Sequence, residues 1–268
     1  MNTARLKNIV IAILALTNAC LLILLVTRRM QEKSARSRAV TELVRLYSAG
    51  GVELSPSVVP KNNELHAAAD PARSIETESA FAASILGTCL MEDVGGGIYR
   101  YVGETGQCLL RSSGSVEAEL ERAVDDPEQF CRSFFSEYGY TGMRLEINGG
   151  SGEISGVRML SDSSMIFNAE LTFTFSEDTL TAVSGLFVPP IEAEEHGEGV
   201  DGVTALARFL NYSEDSGEVC TSVESVRSGY LLQNTASVSQ HLIPVWRITT
   251  DVNTYYVNIN TGEVTRET

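Results

Sequence analysis

The sequence predicts an α+β protein in which helices cover antiparallel sheets, preceded by one N-terminal transmembrane helix. First, an apolar run occupies Ile9–Val26. Second, later segments alternate apolar and polar residues, which is typical of half-buried strands. Third, a helical segment followed by strands occurs twice, at 126–138 with 143–188 and at 201–211 with 219–266. This repetition predicts two helix-on-sheet units of similar size.

The charge is distributed unevenly along the chain. The net charge is −15, yet residues 1–38 contain seven Lys and Arg and a single acid, Glu32. The rest of the chain therefore has 13 bases and 34 acids, a net charge of −21. Such a domain lacks the cations that neutralise phosphates, so nucleic acid is not expected as a partner. The basic segment, in contrast, would be attracted to an anionic lipid surface.

The apolar run has the length of a transmembrane anchor. At 1.5 Å per residue a helix over Ile9–Val26 covers roughly 27 Å, close to the hydrocarbon thickness of ~30 Å. A cleaved signal peptide is the alternative, with a shorter run and small residues at a cleavage site. Here the run ends in Val26-Thr27-Arg28-Arg29, which favours an uncleaved anchor.

The orientation of this anchor is open from charge alone. Two bases precede the apolar run and five follow it closely. The positive-inside rule therefore places the large domain in the cytoplasm, although a long domain can be translocated regardless of its flanking charges.

One face of the anchor is a candidate partner-binding surface. Ala12, Ala15 and Ala19 recur at spacings of three and four residues, and Thr17 and Asn18 are polar. In lipid, helices associate through small residues and through hydrogen bonds between polar ones, and an unpaired amide is costly there. The predicted contact residues are Ala12, Ala15, Asn18 and Ala19. The alternative is the ordinary composition of a lone helix.

Composition divides the chain into seven segments. They are a short tail at 1–8, the anchor at 9–27, a juxtamembrane helix at 28–49, a proline-containing connector at 50–72, a first α+β unit at 73–188, an acidic linker at 189–200 and a second α+β unit at 201–268.

Local signals place the main elements within the two units. In the first unit, Asp126-Pro127 predicts a helix start and Gly139 its end. Phe167–Phe175 alternates cleanly and predicts a strand with Leu180–Val188 as its partner. Two short strands are predicted at 98–102 and 108–112, and further strands at 219–232, 242–250 and 254–259, followed by a tight turn and a last short strand.

The histidines and acids form no recognisable catalytic motif. His66, His196 and His241 stand beside no Ser, Cys or Asp signature, and neither H-E-x-x-H nor G-x-S-x-G occurs. The acidic linker around His196 could hold a divalent cation, but its residue order matches no ligand loop. We therefore predict no enzyme activity, no metal and no cofactor. A hydrolase with an unrecognised carboxylate pair stays open.

Four cysteines lie in the acidic domain, at positions 89, 108, 131 and 220. They allow three disulfide pairings, between which the sequence does not choose. The alternative is that all are buried, reduced thiols acting as small apolar residues. No C-x-x-C occurs, so thiol redox chemistry and cysteine zinc clusters are not predicted.

Two C-terminal stretches resemble a known family. Leu242–Asp251 (LIPVWRITTD) and Tyr255–Val264 (YYVNINTGEV) look like the tail of YycI/YycH-type two-component regulatory proteins and the related PepSY-like strand–turn–strand. The layout is similar too, with an N-terminal anchor and a helix that leads into Gly50-Gly51 and then Val59-Pro60. The specific motif is confined to the two C-terminal stretches.

The resemblance implies a regulatory function. Proteins of this type carry an extracytoplasmic domain on one transmembrane helix, with the N-terminus in the cytoplasm. They contact a membrane sensor histidine kinase that controls cell-wall metabolism, and possibly a second YycH-like regulator, and they have no catalytic residues. Tyr230 and Trp246 are the predicted partner-binding residues of the domain surface, because aromatic residues concentrate at hot spots; a core position is the alternative. The competing functions are a PepSY-like peptidase inhibitor or chaperone and a cell-envelope hydrolase.

Overall fold

The computed structural model describes residues 3–61, 67–160, 164–191, 199–234 and 240–267, and it leaves out the side chains of residues 3–13, 15, 19, 29 and 32. Within these residues the chain forms four helices and thirteen strands. The mixed α+β class predicted from the sequence is confirmed.

The helices are α1 (Thr3–Ala49), α2 (Ile75–Leu86), α3 (Pro127–Tyr138) and α4 (Gly202–Ser216). The strands are β1 (Glu53–Leu54), β2 (Cys89–Gly95), β3 (Ile98–Gly103), β4 (Gly106–Arg111), β5 (Ser115–Ala123), β6 (Tyr140–Asn148), β7 (Ser151–Met159), β8 (Met165–Ser176), β9 (Thr179–Leu186), β10 (Ser222–Gln233), β11 (His241–Thr250), β12 (Thr254–Asn258) and β13 (Val264–Arg266).

The strands join into one sheet with two halves. The first half is antiparallel throughout, in the order β2-β3-β4-β5-β9-β8-β7-β6. The second half has the order β1-β10-β11-β12-β13, in which only β1 is parallel to its neighbour. A short parallel ladder between β8 and β10 connects the halves. The sequence predicted two units but not the strand pairing that joins them.

The predicted repetition of a helix followed by strands is present. Helix α3 precedes β6–β9, and α4 precedes β10–β13. Both helices begin at an aspartate: the Oδ1 atom of Asp126 accepts from the Gln129 N–H at 3.0 Å, and Asp201 does the same for Thr204 at 2.8 Å. Such a side chain satisfies one of the N–H groups that the first turn leaves unpaired.

Both helices also end at a glycine in the left-handed conformation. Gly139 and Gly217 have φ of 70°, which a residue without Cβ adopts at little cost. Helix α4 extends to Ser216, beyond the predicted end at residue 211.

The core of the first half is aromatic. Helices α2 and α3 bring Phe81 and Phe134 to a ring distance of 5.5 Å, and Phe134 lies 4.9 Å from Phe173 of β8 in an edge-to-face arrangement. Such edge contacts stabilise a core beyond the area they bury. The alternation predicted for β8 is confirmed, since Leu171, Phe173 and Phe175 are buried and β9 is the partner of this strand.

The core of the second half is built from both ends of the chain. Leu43 and Tyr47 of α1, Leu54 of β1 and Val59 pack with buried residues of α4 and of β10–β12. The first half, whose core residues lie between Phe81 and Phe187, is therefore inserted into the second half. The sequence had assigned the end of the juxtamembrane helix and the connector to neither unit.

A third apolar cluster seals the junction between the halves. It contains Leu160, Ile166, Ala169, Val188, Tyr230, Leu232 and Leu242. Beside it, Asn168 of β8 makes two hydrogen bonds with the backbone of Leu232 of β10: its Nδ2 donates to the carbonyl and its Oδ1 accepts from the N–H, both at 2.8 Å. A side-chain amide thus extends the short parallel ladder.

Several elements differ from the sequence prediction. Helix α1 is continuous from Thr3 to Ala49. The sequence had predicted three separate segments here, namely a tail, an anchor and a juxtamembrane helix. Strands β2, β5 and β7 were not predicted. The connector was predicted to be irregular, but Glu53–Leu54 pairs with β10 and Ala69 pairs with Leu242 of β11.

The two hydrogen bonds of Asn168 predict a measurable contribution to stability. Asn168→Ala leaves the N–H and the carbonyl of Leu232 without these partners, so we expect the free energy of unfolding to fall by about 1 to 3 kcal/mol. Urea denaturation of the full chain, followed by the fluorescence of the single tryptophan, Trp246, measures this loss. Asn148→Ala, at the end of β6, is the control. Equal unfolding midpoints for the two variants would contradict the assignment.

Candidate functional site

The first part of helix α1 exposes many large apolar side chains. Leu14, Leu16 and every residue of Leu21–Val26 have between 51% and 72% of their surface exposed. An exposed apolar patch of this kind marks a surface that lipid or another protein covers. This stretch is therefore the strongest candidate for a contact with another molecule.

The predicted contact face lies in the same part of α1. Asn18 is exposed there, between Leu16 and Leu21. Ala12, Ala15 and Ala19 belong to the same helix, but their side chains lie outside the described residues. The proposed grouping of these four residues stays a prediction.

Within the described residues, no helix combines the length and the hydropathy needed to cross a membrane. The transmembrane anchor and its orientation stay predictions from the sequence.

The C-terminal end of α1 is anchored in the folded core. Leu43 is 3% exposed and Tyr47 is fully buried, and the Tyr47 hydroxyl donates a 2.7 Å hydrogen bond to the carbonyl of Leu206 in α4. Burial, and to a lesser extent the nearby Cys220, raises the pKa of Tyr47 far above its usual range. The phenol is therefore a permanent donor that holds α1 against α4.

Helix α1 passes into the sheet through a short turn. The Val52 N–H donates to the carbonyl of Tyr47 at 2.9 Å, and Gly51 adopts a left-handed φ of 79°. The chain then enters β1, which pairs with Ser222 and Val223 of β10. The buried C-terminal end of α1 is thus joined to the sheet without a long linker.

A basic groove lies beside α1, where the chain returns after β1. Its volume is about 560 Å³, and its cations are Lys33, Arg36 and Lys61. Arg36 also donates to the carbonyl of Pro60 through Nη2. The apolar part of the groove is lined by Val40, Val44, Pro56 and Val59. This groove could not be predicted from the sequence, because Lys61 is remote from the other two cations along the chain.

The two aromatic residues predicted as surface anchors are core residues, so that prediction is wrong. Tyr230 and Trp246 are each 1% exposed. Trp246 packs in the core of the second half and donates from Nε1 to the carbonyl of Val200 at 2.7 Å, whereas Tyr230 lies in the junction cluster. Both lie on central strands covered by other elements, and neither is available to a partner.

All five cysteines are free thiols. Cys108 and Cys131 are fully buried in the first core, and burial raises the pKa of each thiol to about 12. Desolvation also raises the pKa values of Cys89 and Cys220. Cys108, Cys131 and Cys220 thus agree with the alternative of buried, reduced thiols, whereas Cys89 is only partly buried.

His241 has a structural position. Its Nδ1 atom is hydrogen-bonded to a carboxylate oxygen of Asp70, beside the backbone pairing of Ala69 with Leu242. These contacts hold the end of the connector against β11. His66 and His196, together with most of the acidic linker, lie outside the described residues. The part of the chain that the structure describes contains no group of three potential metal-ligating His, Cys, Asp or Glu side chains.

Comparison with known proteins gives only distant similarities. No family model matches the sequence, and no curated protein matches it. Among solved structures, an uncharacterized protein from Eubacterium rectale ATCC 33656 is 11% identical, with 72% of this chain and 75% of that chain covered and a TM-score of 0.40. The C-terminal domain of Bacillus megaterium YpeB is 9% identical, with 75% and 100% covered and a TM-score of 0.35. Both similarities are too distant to assign a family or a function.

The buried thiols predict a specific pattern of alkylation. In the folded chain at pH 9 we expect iodoacetamide to leave Cys108 and Cys131 unmodified, because their raised pKa values keep them protonated and their burial blocks access. Cys89, which is only partly buried, should react first among the domain cysteines. Peptide mass spectrometry before and after unfolding in urea measures the order. Modification of Cys108 as fast as Cys89 would contradict the packing described.

Proposed function

We propose that this chain is a membrane-anchored regulator without catalytic activity, which binds a partner protein through helix α1 and carries its folded part outside the bilayer. The observation that supports this proposal is the distribution of exposed and buried side chains along α1. One end exposes apolar side chains, and the other end is buried in the core of the second half.

A continuous helix is suited to couple the two regions. At ~1.5 Å per residue, the 47 residues of α1 extend over about 70 Å. Because Tyr47 and Leu43 are fixed against α4, a rotation or a shift of the folded part moves the exposed end of α1 as well. Small shifts and rotations of packed helices are a common way to transmit a signal.

The charge of the chain fits an anchored position. The segment after the apolar run is basic and would lie at the lipid headgroups, while the net charge of −21 on the rest keeps the folded part away from an anionic surface. Asn18 lies among apolar side chains, where an amide gains most from a hydrogen bond to a neighbouring helix.

The nature of the partner is proposed from the C-terminal resemblance. Leu242–Asp251 and Tyr255–Val264 look like the tail of YycI/YycH-type proteins, so we propose a sensor histidine kinase of cell-wall metabolism as the partner and an extracytoplasmic position for the folded part. The lack of a recognised catalytic motif in the sequence supports a role in binding.

The anchor predicts that charge in the apolar stretch releases the chain from membranes. Leu16→Arg combined with Leu21→Arg places two cations near the middle of Ile9–Val26, at a cost of about 3 kcal/mol each. We expect the wild-type chain to stay in the membrane pellet after carbonate extraction and the double variant to appear largely in the supernatant.

A matched control is available on the folded part. Leu90 of β2 is 77% exposed, and Leu90→Arg should leave the distribution of the chain unchanged. Release of the wild-type chain by carbonate, or equal retention of the double variant, would refute the anchor.

The partner contact predicts a specific role for the Asn18 amide. With a photo-crosslinking amino acid at position 22, the wild-type chain should give an adduct that mass spectrometry identifies as a sensor histidine kinase. Asn18→Leu should reduce the adduct several-fold, because the helix pair loses a hydrogen bond in lipid, and Asn18→Gln should retain much of it. An unchanged adduct in Asn18→Leu would exclude the amide contact, and adducts with lipid alone would exclude the partner.

A further inference from the structure

A second cavity lies away from α1, at the edge of the first core. Its volume is about 550 Å³, within the range of roughly 300 to 1,000 Å³ typical of small-molecule sites. It is formed by α2, by the end of α3, by the end of β7 with Leu160 and by the segment that follows β9. Its apolar wall consists of Ala80, Tyr138, Met159, Leu160, Phe187, Val188, Pro190 and Ile191.

Arg158 of β7 lines this cavity, although it is only 6% exposed. Its Nε donates to the carbonyl of Val188 at 3.1 Å, and its Nη1 donates to the carbonyls of Gly139 and Met159 at 2.9 and 2.6 Å. These three bonds fix the guanidinium in position. They account for the hydrogens of Nε and Nη1, so the donors left over are those of Nη2.

The acceptors of Arg158 among the described residues are neutral. No carboxylate in the described ranges forms an ion pair with it, and burial lowers the pKa of Arg158, which reflects the cost of holding this charge out of water. The carbonyl end of α3 offsets part of that cost. An arginine nevertheless stays protonated in a protein, so the cavity contains a cation whose charge is incompletely neutralised.

Arg73 is a second partly buried arginine of the first half, and it has an acidic partner. Arg73 forms an ion pair with Glu78, which is 4% exposed, and its Nη1 donates to the carbonyl of Gly97 at 2.8 Å. That carboxylate neutralises the guanidinium inside the protein. Arg158, like Arg73, donates to backbone carbonyls. Unlike Arg73, it has no acidic partner among the described residues, and it lines a cavity.

We propose that this cavity binds a small organic carboxylate with an aromatic or aliphatic body. The carboxylate would accept hydrogen bonds from Nη2 of Arg158, and its apolar body would pack against Tyr138, Phe187 and Ile191. Guanidinium groups bind carboxylates strongly, because a hydrogen bond between two charged groups is about twice as strong as a neutral one.

The remaining polar groups of the cavity narrow the choice of ligand. Thr77 and Ser136 provide hydroxyls, and the exposed Glu137 contributes a negative charge at the edge. Glu137 disfavours a dianion such as phosphate, and the apolar wall adds nothing to the binding of an inorganic ion. A monoanion with an apolar body is repelled less by Glu137 than a dianion is, and its body can pack against the apolar wall. The proposal is independent of the anchor and of the partner of α1.

The test compares matched fluorinated probes on the full chain in detergent. The probes are 4-fluorobenzoate, 4-fluorophenylacetate and 4-fluorohippurate, each with its neutral amide, observed by ¹⁹F NMR. We expect at least one acid to bind saturably and about tenfold or more tightly than its amide, because the amide lacks the charge that pairs with Arg158. Inorganic phosphate should displace it only weakly.

Three variants locate the binding. Arg158→Met should abolish the preference for the acid, and Ala80→Trp should block the cavity while leaving Arg158 and its three carbonyls in place. Ala83→Trp, on the same helix but outside the cavity lining, should bind like the wild type. Circular dichroism checks that each variant is folded. If Arg158→Met does not fold, the affinity of Ala80→Trp shows whether the acid binds in this cavity.

Four results would overturn the proposal. One is that none of the three acids binds. Another is that acids and amides bind equally, which would show that the charge of Arg158 is already neutralised. The third is that a folded Ala80→Trp retains full affinity. Displacement by phosphate at equal concentration would instead assign the site to inorganic anions.

Discussion

Strand β8 and the side chain of Asn168 hold the two halves of the sheet together. The strand pairs with β7 and β9 in the first half, and its first residues pair in parallel with β10 of the second. The pairing with β10 covers only two positions, and the amide of Asn168 extends it to Leu232. Since Ile166 and Ala169 of the same strand are buried in the junction cluster, a shift of β8 would disturb both halves at once.

The two proposed sites lie in different halves, and one of them borders the junction between the halves. Helix α1 is fixed to the second half through Tyr47, whereas Arg158 belongs to β7, the neighbour of β8. Leu160 and Val188 line the cavity of Arg158 and are also members of the junction cluster. A ligand in that cavity would therefore touch the residues on which the arrangement of the two halves depends.

The sequence predicted elements whose signals are local. The ends of α3 could be predicted from Asp126 and Gly139, and β8 and the C-terminal strands could be predicted from their alternation. Each of these signals depends only on residues close together along the chain. Strand β1 has two residues and exists only through its pairing with β10, and β2 is an exposed edge strand whose burial pattern does not alternate. The sequence left Trp246 open between a partner-binding and a core position, because aromatic type alone does not reveal burial. The sequence contained no signal for Arg158, since two of its three acceptors, the carbonyls of Gly139 and Val188, are remote from it along the chain.

The insertion of the first half into the second also orders events during synthesis. Leu43, Tyr47 and Leu54 leave the ribosome before the first half, but their packing partners in α4 and β10–β12 are made after it. The first half can complete its core as soon as Phe187 has emerged, and domains fold as units as they appear. The apolar residues at the C-terminal end of α1 therefore stay without their packing partners while the whole first half is made. A membrane that takes up the other end of α1 would reduce the apolar surface on which the nascent chain can aggregate during that time.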